Sequence, residues 1–162
     1  MAANTSPIFP LAPVVGIATL TTATAITSRA NITGTTGLVQ LTPESTNGKR
    51  IDSIAVKGKA TTVASNIFIW IYNGTTSFLF DEIDAPAVTA GNTTDSTLVQ
   101  KTYLSLVLPP TYQLFISETV ETVVNVFALG GAHSCSRNLL RPHDGAPSGG
   151  FCPVAVATPP LV

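Results

Sequence analysis

The stretch Ser65 to Asp84, SNIFIWIYNGTTSFLFDEID, leaves this chain few folds to choose from. It reads as two strands joined by a tight turn. Asn73-Gly74 is the dipeptide that supplies the positive φ angles of a type I′ hairpin. In the first arm Ile67, Ile69 and Ile71 point one way, and Phe68, Trp70 and Tyr72 point the other. A sheet with one wet face would carry polar residues in one of those sets. Here both faces ask for cover. One cover is the opposing layer of the protein's own core. The scarcity of charge makes a neighbouring subunit the expected second cover: charged residues are 10% of the chain, against about 25% in an average soluble domain. A surface that poor in charge is adhesive unless partners occupy it.

The rest of the chain reads as short β segments. Residues 14–28 mix Val, Ile and Thr without a helical period. Residues 38–41 are followed by Pro43 and the turn PESTNG. Residues 49–60 alternate, with a slip between Ile51 and Ile54 that predicts a bulge near Asp52-Ser53. After the hairpin come strands over 98–108, 112–117 and 123–129, and Gly130-Gly131 closes the run. About eight strands at spacings of about 10 to 15 residues predict an all-β fold, an eight-stranded jelly-roll-like β-sandwich. The immunoglobulin sandwich is the runner-up, but its Cys…Trp…Cys spacing is absent.

Three parts follow: an extended N-terminal arm over 1–13, the sandwich over 14–131, and an irregular Pro/Gly-rich extension over 132–162. In the arm, Pro7, Pro10 and Pro13 recur every third residue around Ile8, Phe9 and Leu11. This suits a polyproline segment lying along a neighbouring subunit, with a disordered terminus as the alternative. Ile8, Phe9, Leu11, Ile67, Ile69 and Ile71 are therefore the expected assembly contacts. No run of about 18 residues is free of polar groups, so no transmembrane helix is expected. The first basic residue is Arg29, which argues against a secretory signal. A net charge of −1 gives no footprint for nucleic acid or an anionic membrane.

Candidate chemistry is thin. Asp81, Glu82 and Asp84 read as a solvated strand end that blunts an exposed edge, because no third ligand stands in register. His133, Cys135, His143 and Cys152 are zinc-ligand types, but their spacing fits no short knuckle. Cys135 and Cys152 are close enough in sequence for a disulfide worth about 3 kcal/mol in the loop-entropy model; two free thiols are the alternative. The serines and histidines of the extension lack a nucleophile elbow. Trp70 and Tyr72 would suit a sugar-stacking platform, although a packed aromatic layer is the more common use of such a pair. No cofactor motif is present, and no enzymatic activity is expected.

The runs SPIFPLAPVVGIATL, AITSRANITGTTGL, STNGKRIDSIAVK, FIWIYNGTTSFLFDEI, LPPTYQLFIS and NVFALGG resemble a group of small structural proteins of tailed bacteriophages, over roughly Thr5 to Gly131. The resemblance implies a virion component made in the host cytoplasm. Its expected role is a capsid decoration or cement protein of jelly-roll type, bound to the major capsid protein on the head surface and associated with itself as a dimer or trimer. A receptor- or carbohydrate-binding module of a tail fibre or baseplate is the alternative, and it requires Trp70 to be exposed.

Overall fold

The computed structural model describes residues 12–21 and 26–132. Among these there is no helix. The strands are β1 (Ala12–Leu20), β2 (Ile32–Thr33), β3 (Val39–Gln40), β4 (Lys49–Gly58), β5 (Ser65–Tyr72), β6 (Thr76–Ala85), β7 (Leu98–Leu108), β8 (Gln113–Glu118) and β9 (Val124–Ala132). They form a β-sandwich of two antiparallel sheets, ordered β1-β9-β4-β7 and β2-β6-β5-β8-β3. With β2 set aside, the pairs β5·β6, β4·β7, β3·β8 and β1·β9 nest one around the next, alternating between the sheets. The strand not foreseen in the sequence is the two-residue β2, which adds to the edge of β6.

Three boundaries differ from the expected ones. β1 begins at Ala12, so Pro13 stands in a strand rather than in the arm. That strand is paired on one side only, by β9, where a missing N–H is tolerated. Gly130 and Gly131 lie within β9 rather than after it. The hairpin turn centres on Gly74-Thr75: the Asn73 amide donates to the Thr76 carbonyl (3.2 Å), and of the turn residues only Gly74 has a positive φ, at 97°. That places glycine at the first central position, as in a type II′ turn. Asn73 instead uses its side chain, whose Oδ1 accepts from the amides of Thr75 (3.0 Å) and Thr76 (2.9 Å).

Between the sheets, Ile67 and Ile69 join Ile51, Ile54, Val56, Leu114, Ile116, Val124 and Val126 in the main core, with Ile71 packed at its margin. Ile67 and Ile69 have no exposed surface. The expectation that the isoleucines meet another subunit is therefore corrected: the protomer's own opposing sheet consumes that face. Ile8, Phe9, Leu11, Cys135 and Cys152 lie outside the described residues, as do His133 and His143.

The other face of β5 is also covered from within the chain. Phe68, Trp70 and Phe115 form a second core, closed by Ile26, Ile32, Leu38, Tyr72 and Leu79. Ile26 is tied by its amide to the Glu118 carbonyl (3.2 Å). β2 then sits beside β6, and β3 beside β8 at the opposite edge. The link between β2 and β3 thus straps the outer face of the five-stranded sheet. The polar stretch from Arg29 to Gly37, read as a plain connection, carries the cover that was expected from a neighbour.

A strained turn precedes β8. The Tyr112 amide donates to the Pro109 carbonyl (3.2 Å), and Thr111 between them has φ 70°. This is the position where glycine is usual after proline, and a β-branched residue is strained there. Thr111→Gly is expected to raise stability by about 1 kcal/mol and the melting temperature by about 2–4 °C. Calorimetry showing a lower midpoint would contradict the strain.

Candidate assembly surface

The strand period assigns each β1 and β9 side chain to one face. In β1, Gly16, Ala18 and Leu20 turn inward and Val15 and Ile17 outward. In β9, Val124, Val126 and Ala128 turn inward, and Phe127 and Leu129 outward. Register places Val15 beside Leu129, and Ile17 beside Phe127, which in turn lies beside Ala55 of β4. Val15 is 55% exposed, Ile17 61% and Leu129 40%. A free sheet face is ordinarily polar, and this one is apolar along two adjacent strands. Thr19 and Asn125 bound it at one end, joined by a hydrogen bond from Thr19 Oγ1 to Asn125 Oδ1 (2.8 Å). At the other end Arg50 Nε lies 2.7 Å from Asp52 Oδ1, a contact of charges without hydrogen-bond alignment.

These outward residues were missed as contacts in the sequence, yet a signal existed. Val15 and Ile17 alternate with Gly16 and Ala18, and the small residues take the crowded side. A Cβ on Gly16 would lie 2.2 Å from the Leu41 carbonyl oxygen. The crowding forces the larger pair outward.

The acidic strand end is not simply solvated. Asp81 Oδ1 accepts from Lys101 Nζ (2.5 Å), and Oδ2 from the Tyr103 hydroxyl (2.8 Å). These bonds tie β6 of one sheet to β7 of the other. Burial opposes ionisation of Asp81, but the bonds from Lys101, the Glu82 amide and Tyr103 outweigh it and hold the carboxyl below its usual range. Burial, reinforced by Asp81, pushes the Tyr103 phenol up. Glu82 takes both bonds of the Arg29 fork, at 2.6 and 2.8 Å, while that guanidinium stacks 5.4 Å from the Phe68 ring centre. These carboxylates are committed to holding the sheet edge and the strap. At the end of the sandwich where β8 begins, buried Lys49 donates to Thr42 Oγ1 (3.3 Å) and to the Pro43 carbonyl. Burial lowers its pKa against the pull of Glu44.

Trp70 has no exposed surface, and its Nε1 donates to Ser117 Oγ (2.9 Å). It forms no platform for a sugar. Tyr72 packs edge-on against Phe115, with ring centres 5.6 Å apart. An open depression of about 470 Å³ lies near the end of β8, lined by Ser65, Asn66, Asp84 and Thr119 among others, with one carboxylate. Among the described residues no three His, Cys, Asp or Glu side chains gather as a metal site would require. No family model, curated protein or solved structure matches this chain.

Proposed function

We propose that this chain is a non-enzymatic structural protein of a tailed-phage particle, a capsid decoration or cement protein that binds the assembled head. The observation that carries the reading is the apolar outer face of β1 and β9. Among the described residues both cores are assembled without it, so Val15, Ile17, Phe127 and Leu129 belong to neither. Exposed apolar surface of this kind suits an interaction site. The nested strand pairing supports a jelly-roll reading of the sandwich, and the phage resemblance supplies the setting. The partners in this reading are the major capsid protein and further copies of the chain, on the virion surface. Its mechanism is linkage: a protein that binds only the assembled shell stabilises that shell by mass action. The tail-fibre alternative loses the residue it relied on, since Trp70 is enclosed.

The test is to image particles and locate the protein on head or tail, and then to measure occupancy of a Val15→Thr/Ile17→Thr variant. Threonine keeps the β-branch and the strand preference at both positions, so the variant is expected to fold within about 1 kcal/mol of the parent. Its affinity for heads, read from occupancy titrated against added protein, should fall at least about tenfold, the equivalent of about 1.4 kcal/mol. Density on the tail, or unchanged occupancy, would overturn the reading.

A further inference from the structure

The end of the sandwich away from Lys49 holds an unpaired buried carboxylate. Leu114, Ile116 and Glu118 share the inner face of β8, opposite Ile71, Ile69 and Ile67. Glu118 therefore continues a row of core residues. It has no exposed surface, and neither carboxylate oxygen meets hydrogen-bond geometry with any described residue. An ionised carboxylate in such a place is costly. Burial pushes the carboxyl up to about 7; the Thr122 amide offsets part of this and the Glu121 carboxylate adds to it.

Among the described residues, one short loop lies against Glu118. The loop over 119–123 joins β8 to β9 and buries Thr122, while Val120 and Val123 face solvent. Its ties are few. Thr119 and Asn66 exchange two bonds of 3.0 Å. Ser65 Oγ bonds both polar groups of the Val120 backbone, at 3.1 and 3.3 Å. The Lys59 amide reaches the Val123 carbonyl (3.0 Å). Among the described residues the charged groups at this end are Glu121 on the loop, Asp84 at the end of β6, Asp95 in the loop before β7, and Lys57 and Lys59 at the end of β4. Of these Glu121 acts on Glu118, and the Lys57 ammonium is engaged with the Ser96 carbonyl (3.2 Å). Among the described residues no cation pairs with the carboxylate.

We propose that Glu118 and the 119–123 loop form a proton-operated latch: the neutral carboxyl allows the loop to close the end of the core, and ionisation draws the loop open. The sign follows from the closed state holding its proton more tightly than an exposed carboxyl. Closure is fully favoured below the ordinary value of 4.5, weakens as pH rises, and levels off above about 7. Opening uncovers the apolar end of the core around Ile67.

Amide hydrogen exchange on the full chain between pH 5.5 and 8.5, corrected for intrinsic rates, tests this. Protection of the loop amides should fall about tenfold between pH 6 and pH 8, while the amides of Ile69 and Ile116 keep theirs. Glu118→Gln should abolish the pH dependence. Exposed Glu121→Gln should move the transition to lower pH, and it decides the matter if Glu118→Gln does not fold. Loop protection that ignores pH in the parent overturns the latch. So does a Glu118→Gln variant with the parent's profile, or a Glu121→Gln variant with an unmoved transition.

Discussion

Replacing Gly130 with alanine is expected to prevent the sandwich from forming. Gly130 lies in β9 between Val14 of β1 and Ile51 of β4. The β4 ladder shifts between Ile51 and Ser53, so Asp52 is extra and the backbone of β4 swings inward. A Cβ on Gly130 would meet the Arg50 carbonyl oxygen at 1.9 Å and the Ile51 Cα at 2.9 Å. Both obstacles are backbone, held by ladders on two sides, so no rotamer change relieves the clash. The cost is on the order of 4 kcal/mol or more, a large part of the stability of a domain this size. Circular dichroism and solubility after expression are the readouts. Gly91→Ala is the control, because nothing stands within 4 Å of its added carbon, and it should stay within about 0.5 kcal/mol of the parent. A folded Gly130→Ala protein with parental stability would mean that the bulge does not press on β9.

The second large effect concerns Trp70. Trp70→Ala empties the centre of the outer core and orphans the Ser117 hydroxyl, and it should cost about 3–5 kcal/mol in urea denaturation. Trp70→Phe keeps most of the ring packing and loses the bond to Ser117, for a smaller cost of about 1–2 kcal/mol. The same geometry predicts an optical result. Trp70 is the single tryptophan in the chain, so its native fluorescence should be quenched weakly by acrylamide and strongly after unfolding. Strong quenching in the native protein would show that the strap does not seal that face. It would also return Trp70 to the surface, where the carbohydrate-binding alternative needs it.

Much of the fold was legible in the residues. The all-β class followed from alternation without any helical period, and the β4 bulge followed from the slip between Ile51 and Ile54. The hairpin was placed correctly, but its turn was centred one residue early. Asn-Gly signals a turn through either residue's tolerance of positive φ, whereas here Gly74 alone supplies it and Asn73 acts as a hydrogen-bond acceptor. Gly130-Gly131 was read as punctuation because glycine usually ends a strand. Its actual reason, the close approach of a bulged neighbour, is set by a pairing almost eighty residues away in the chain.

The candidate surface was legible only in part. The scarcity of charge pointed to partners, but it does not say which face they cover. The isoleucines of β5 looked available because the strap over 26–41 has a polar, glycine-containing sequence that gives no sign of roofing an aromatic layer. Glu118 carried no burial signal, since a glutamate at a strand end is ordinarily exposed.

Outside the bulges, local sequence is enough to say which side chains share a face, since a strand's period of two is local. It determined that both faces of the Ser65 to Asp84 hairpin need cover. The tertiary structure alone decided what provides it: the opposing sheet for the isoleucines, and the chain's own strap for Phe68 and Trp70. Cover depends on which distant segments the topology brings over a sheet, and local periodicity holds no information about that. Among the described residues, the outer face of β1 and β9 is an apolar surface that belongs to neither core.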